Sequence, residues 1–139
     1  MAITQCMVST FKEELFAGVH DLDTDTIKLA LFTSAATLDA TTTTYSTTNE
    51  VVGTGYTAGG KTLTSPVISL DGTTAIVDFA DTTWAAATLT ARGALIYNSS
   101  KANRAIAVLD FGADKTSTNG DFTVSFPAAA AATAILRIA

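Results

Sequence analysis

Apolar residues recur along this chain with two different periods, and the switch between them divides it into elements. Phe11, Leu15 and Val19 are spaced as on one face of a helix. Thr10-Phe11-Lys12-Glu13 has capping-box spacing, in which a hydroxyl and a carboxylate take up first-turn amides. Gly18 supplies a stop, so a helix is predicted over about residues 10–18. Past the acidic turn His20-Asp21-Leu22-Asp23-Thr24-Asp25 the period becomes two. Ile27, Leu29 and Leu31 alternate with Lys28, Ala30 and Phe32, as a sheet presents two faces, and a strand is predicted over 26–32.

Further alternating runs predict strands at 61–69, 73–80, 91–98, 104–111, 121–127 and 133–139. Asp71-Gly72 between the first two of these predicts a tight hairpin turn. Pro66 lacks an amide donor and belongs on an edge or at a bulge. The stretches Asn-Ser-Ser-Lys-Ala-Asn (98–103) and Asp-Lys-Thr-Ser-Thr-Asn-Gly (114–120) have turn composition. Residues 33–60, rich in Thr, Ser, Ala and Gly, read as a long surface loop with a short strand at 50–52. There is no internal repeat. The expected architecture is one domain over 1–139, mainly β: an antiparallel β-sandwich or barrel of about seven to eight short strands carrying one N-terminal helix.

Composition adds a property of the surface. Threonine and alanine dominate, while charged residues are 15% against a usual ~25%. Threonine favours extended backbone, and depletion of charge marks the cores of protein–protein interfaces. The net charge of −5 leaves no basic face to neutralise phosphates, so nucleic acid and anionic membrane are not expected partners. No apolar run approaches the ~20 residues of a membrane span. The lone Cys6 has no disulfide partner, and "MAITQCMVSTFKEEL" lacks the basic flank and apolar core of a signal peptide, so synthesis in a reducing cytoplasm is expected.

Several chemical motifs are spelled out and lack their context. Gly55 to Thr62, "GYTAGGKT", satisfies the phosphate-loop pattern G-x-x-x-x-G-K-[ST]. That loop needs a helix after it, because phosphates sit on a helix N-terminus, and the residues after Lys61 include Pro66 and β-branched side chains. Gly53, Gly55, Gly59 and Gly60 are instead expected to turn the backbone sharply into the strand at Lys61. "AIAVLD" (105–110) and Asp110-Phe111-Gly112 mimic magnesium-site motifs of nucleotide hydrolases and kinases, whose other parts are missing. Asp21, Asp23 and Asp25 have calcium-loop spacing, but Thr26 and Phe32 stand where the loop requires Gly and Glu. With only His20 and Cys6 as strong ligands, and no G-x-S-x-G elbow, neither metal nor triad chemistry is indicated; no enzyme activity and no cofactor are expected. Asn98-Ser99-Ser100, formally a glycosylation site, reads as part of a hairpin turn. Tyr45, Tyr56 and Trp84 stand in or beside the Thr/Gly-rich segments and are the candidate partner contacts; Tyr45 is expected as an exposed anchor and Trp84 as a cap on the core.

Three segments, "FKEELFAGVHDLDTDTIKLALFTSAATLDATTTTYSTTNEVVGTGYTAGGKTL", "VDFADTTWAAATLTARGALIYN" and "AVLDFGADKTSTNGDFTVSFP", occur in this order. As a set they resemble a group of small virion structural proteins of tailed bacteriophages over nearly the full length. The resemblance implies a virion component with no catalytic residues, and in it the glycine loop is a structural hallmark. The expected role is a capsid decoration or cement protein, bound to the major capsid protein or other virion proteins and self-associating, as a trimer sooner than a dimer. A tail, neck or fibre-attachment component and a carbohydrate-binding adhesion module are the alternatives.

Overall fold

The computed structural model describes residues 2–139. The elements in chain order are β1 (Cys6–Met7), α1 (Ser9–Phe16), β2 (Ile27–Phe32), β3 (Lys61–Thr62), β4 (Val67–Asp71), β5 (Thr74–Asp78), β6 (Thr82–Asn98), β7 (Arg104–Val124) and β8 (Leu136–Ile138). They form two open antiparallel sheets, of order β1-β7-β6-β2-β3 and β4-β5-β8, a sandwich-like arrangement with free edges. The core sits on β2, β6 and β7, where Leu29, Leu31, Leu95, Ile96, Ile106 and Val108 have no accessible surface. β2 is buried on both faces, which is why its Ala30 and Phe32 are apolar as well.

The helix is shorter than predicted and is capped differently. It starts after Val8, whose side chain makes no cap, and the backbone satisfies the start instead: Val8 N–H donates to Ile106 O (3.0 Å) and Ser9 N–H to Ala40 O (2.9 Å). Thr10 is therefore already inside the first turn, with Oγ1 buried and unpartnered, and Thr10 and Glu13 form no capping box. The stop is as predicted. Gly18 takes φ 70°, its N–H reaching Leu15 O, while Val19 N–H reaches Glu14 O, the paired bonds of a Schellman motif.

Other departures come from pairing over distance. The predicted strands 91–98, 104–111 and 121–127 are parts of two long strands, β6 and β7, joined by a turn over residues 99–103. Residues 114–120, of turn composition, are strand, because Ala87–Ala91 lies opposite them. Hydroxyls lace the ribbon together: Thr90 with Thr116 at 3.0 Å, Thr83 with Thr123 at 2.9 Å, and Asn119 N–H donating to Thr88 Oγ1 at 2.9 Å. Irregularities at Ala86 (φ 48°) and Asn119 (φ 45°) absorb the turn-prone residues as register shifts. The predicted strand 61–69 divides at Ser65 (φ 53°) and Pro66, where the chain passes from the first sheet to the second. The β4–β5 turn is centred on Gly72-Thr73, one residue later than predicted, with Gly72 at φ 62° as a type II′ turn requires at its first central position. Residues 33–60 remain largely loop and lie against the first sheet through the single bridges Phe32↔Glu50, Thr44↔Arg104 and Thr54↔Thr88, so the expected strand at 50–52 is one bridge.

Candidate functional site

The glycine loop closes on the protein itself. Glu50, 7% exposed, accepts three hydrogen bonds: from Tyr45 Oη (2.6 Å) and Tyr56 Oη (2.5 Å), and from the backbone N–H of Gly59 (2.8 Å). Tyr97 Oη donates to Gly59 O (2.6 Å), and Tyr56 Oη accepts from Leu31 N–H (2.9 Å) on β2. A side-chain carboxylate thus takes the amide that a phosphate would take in a nucleotide loop. Gly60 presses so close to β2 that a Cβ there would stand 1.8 Å from Leu29 O, which requires glycine for space as well as for its φ of 77°. Lys61 points away, donating to Thr83 O, its ammonium 5.8 Å from the centre of the Trp84 ring.

All three tyrosines of the chain meet here. Tyr45 stacks on Tyr97, ring centres 4.5 Å apart, and Tyr56 packs on Trp84 at 5.8 Å. Burial first, and then the hydrogen bond to Glu50, raises Tyr45 and Tyr56 well above the usual phenol range. Tyr97 is pushed up to about 12, by burial and then by the Glu50 charge. Of the predicted contacts, Trp84 is 2% exposed, as a cap on the core would be. Tyr45 and Tyr56 are half-buried with their hydroxyls turned inward, so Tyr45 is not the exposed anchor expected of it. These residues hold residues 33–60 onto the sheet. Sequence reading missed Glu50 and Tyr97: the irregular loop that turns Tyr45, Tyr56 and the Gly59 amide onto Glu50 has no periodicity to read, and Tyr97 reaches Gly59 O from a strand 38 residues away.

A second polar cluster joins the helix to the β6–β7 turn. Asn98, fully buried, donates from Nδ2 to Asp25 Oδ2 (2.8 Å) and accepts at Oδ1 from Ser100 N–H (3.0 Å). That orientation turns its other N–H to His20 Nδ1 (3.0 Å), which makes Nδ1 the acceptor and leaves Nε2–H to donate to Glu14 Oε1 (2.8 Å). Arg104 pairs with the other oxygen of Glu14. The Asn98 amide is the first cause that holds the Asp25 carboxyl below its usual range. Asp21 Oδ1 accepts from the N–H groups of Asp23 (3.1 Å) and Thr24 (3.3 Å), so the calcium-like aspartates serve the turn. Cys6 lies on β1, half-buried, its thiol raised by burial and by nearby Asp39. No group of three or more His, Cys, Asp and Glu side chains among the described residues is arranged to hold a metal ion.

Phe16 of α1 and Val52 of the loop are almost fully exposed, and the other exposed large apolar side chains, Val67, Ile68, Leu70 and Ile138, all lie on the second sheet. β4 is its outer strand, and every residue of it is exposed: Val67 at 52%, Ile68 at 53% and Leu70 at 72%. Ile68 and Leu70 share one face with their β5 neighbours Val77 and Ala75 and, one strand further, with Leu136 and Ile138 of β8. This apolar face looks across a cleft of about 470 Å³ toward Phe11 and Leu15 of α1. The first sheet ends on both sides in strands of two residues, β1 and β3, the short edges that discourage pairing. β4 has five residues, no lysine and no bulge, with Pro66 only at its threshold. Comparison with protein-family models, with curated proteins and with solved structures returned no match.

Proposed function

We propose that this chain is a structural protein of a tailed-bacteriophage virion, a decoration or cement protein that binds the capsid lattice and stabilises it by protein–protein contacts. The observation that carries the reading is β4, an apolar edge strand left uncovered in a chain with a sparsely charged surface. A protein that works alone in solution has reason to blunt such an edge, whereas one that is held in an assembly covers it. The buried carboxylates support the same reading, because Glu50 and Glu14 are both spent on internal hydrogen bonds and ion pairs that tie loops to sheets. The resemblance to small virion structural proteins supplies the setting. The partner is the major capsid protein, and the protein is a homo-oligomer in place.

Quantitative mass analysis of purified particles tests this. A decoration protein is present in hundreds of copies, and purified protein rebinds particles that lack it and raises the temperature at which they release their genome. A few copies per particle move the protein to the tail or neck. Absence from the particle ends the proposal.

A further inference from the structure

We infer that β4 is a self-pairing edge: two copies join antiparallel through β4 about a twofold axis at Ser69, making one six-stranded sheet from two three-stranded ones. The inference deepens the reading of a self-associating virion protein and rests on it.

The register follows from the hairpin. The two-residue turn Gly72-Thr73 closes on Asp71 and Thr74, so Asp71 turns its N–H and C=O toward β5, and by alternation so do Ser69 and Val67. On β5 the facing residues are Thr74, Ile76 and Asp78, and Ala80 N–H, donating to Thr64 O at 3.0 Å, keeps that alternation past the strand, while Ser65 at φ 53° shifts the acceptor by one residue. Ile68 and Leu70 therefore direct their N–H and C=O groups to the open edge. Pairing across an axis at Ser69 sets Ile68 opposite Leu70 of the second copy and Leu70 opposite its Ile68. Four main-chain hydrogen bonds form, and both apolar side chains stay on the same face of the joined sheet. Moving the axis to Ile68 brings Pro66, which has no N–H, opposite Leu70; moving it to Leu70 brings the turn residue Gly72 opposite Ile68. Ser69 is the centre that uses every free group.

Charge agrees with a second copy as the occupant. The chain carries −5, so any self-contact must keep carboxylates apart. Asp71 is the one charged residue of β4; in this register it faces Val67, and its carboxylate is drawn aside by Ala131 N–H at 2.6 Å. The two Asp71 residues then stand about four residues apart along the strands, roughly 13 Å, beyond the ~8 Å screening length of physiological salt. The area sets the strength. Three partly exposed aliphatic side chains and a short strand edge bury roughly 800–1,000 Å² over both copies, the class of weak contacts that a lattice holds by proximity. An isologous pair closes at two, so this edge builds a dimer, where the resemblance put a trimer first.

The test is sedimentation equilibrium of the full chain from micromolar to millimolar concentration, with amide exchange and crosslinking alongside. The expected result is a reversible monomer–dimer equilibrium in which the Ile68 and Leu70 amides gain protection as dimer forms. Leu70→Lys raises the dimer dissociation constant by at least about tenfold while leaving the melting temperature of the monomer unchanged. Ser69→Cys in a Cys6→Ala background oxidises to a covalent dimer, and Thr118→Cys in the same background does not. A monomer at every concentration, a trimer, or a dimer indifferent to Leu70→Lys would each overturn the inference. A Leu70→Lys protein that loses particle binding while the parent never dimerises would also overturn it, by giving the edge to the capsid protein. A dimer that pairs as described yet is absent from virions would leave the pairing standing and remove the proposed function.

Discussion

A methyl group added at Gly60 would meet Leu29 O at 1.8 Å and Ala30 Cα at 2.7 Å, both backbone atoms of a buried strand with little freedom to move. Gly60→Ala is therefore expected to destabilise the fold by about 3 kcal/mol or more, combining a steric clash with an unfavourable positive φ. Lys61→Ala, next in the chain, removes a partly exposed cation–π contact and is expected to cost about 1 kcal/mol; calorimetry of the pair separates a packing role for the loop from a phosphate-binding one. ATP and GTP are expected to show no binding by isothermal titration to either protein. The tyrosines give a pH test at this scale. Their folded pKa values lie above the ordinary value of about 10, so the folded state holds protons that the unfolded state releases. The stabilisation is complete below about pH 10 and is lost as pH rises toward the folded values. Absorbance at 295 nm should show little tyrosinate until the protein unfolds, and then all three at once. A smooth transition near pH 10 with the fold intact would mean that the Glu50 cluster is open to water.

At the scale of elements, the outer half of the β6–β7 ribbon is held by what packs on it. Trp84 meets Tyr56 and Phe122 there, and Phe122 meets Phe111. Trp84→Ala is expected to cost about 3–5 kcal/mol, a normal loss for a buried aromatic, and to loosen residues 82–91 and 115–124 before the inner sheet, visible as early amide exchange in that half. The helix gives a contrast. Phe11 is buried and Leu15 only half-buried at the edge of the cleft, so Leu15→Asp is expected to lower the melting temperature less than Phe11→Ala. Legibility in the sequence followed locality. Gly18 as a helix stop and the hairpin near Asp71-Gly72 were readable because both are satisfied within a few residues. Asp-Lys-Thr-Ser-Thr-Asn-Gly was misread as a turn because its strand character comes from Thr88 and Thr90 across the ribbon. Thr10-Glu13 was misread as a cap because Ala40 and Ile106 supply the backbone partners that fix the start of the helix.

For the whole molecule, the division of labour between the two sheets matters most. The five-stranded sheet carries the dense core and ends in two-residue edges; the three-stranded sheet is thin, with Ile76 and Leu136 covered and the whole of β4 left to solvent. Dissociated protein at high concentration should therefore associate through the second sheet. Leu70→Lys should improve solubility with no loss of thermal stability, a combination that turbidity and calorimetry together can check.

The sequence by itself determined the class of fold, the N-terminal position of the helix, most strand locations and the strand, in place of a helix, that follows the nucleotide-like motif. These rest on periodicity and on missing neighbours, both of which are properties of the chain read in order. Only the tertiary structure decided that Glu50 gathers Tyr45, Tyr56 and the Gly59 amide, that three predicted strands are two, and that Val67, Ile68 and Leu70 lie on an open edge. The alternation of "VISLD" is the same for a central strand as for an outer one. Which it becomes depends on whether another strand arrives beside it, and that is settled by contacts between residues far apart in the chain.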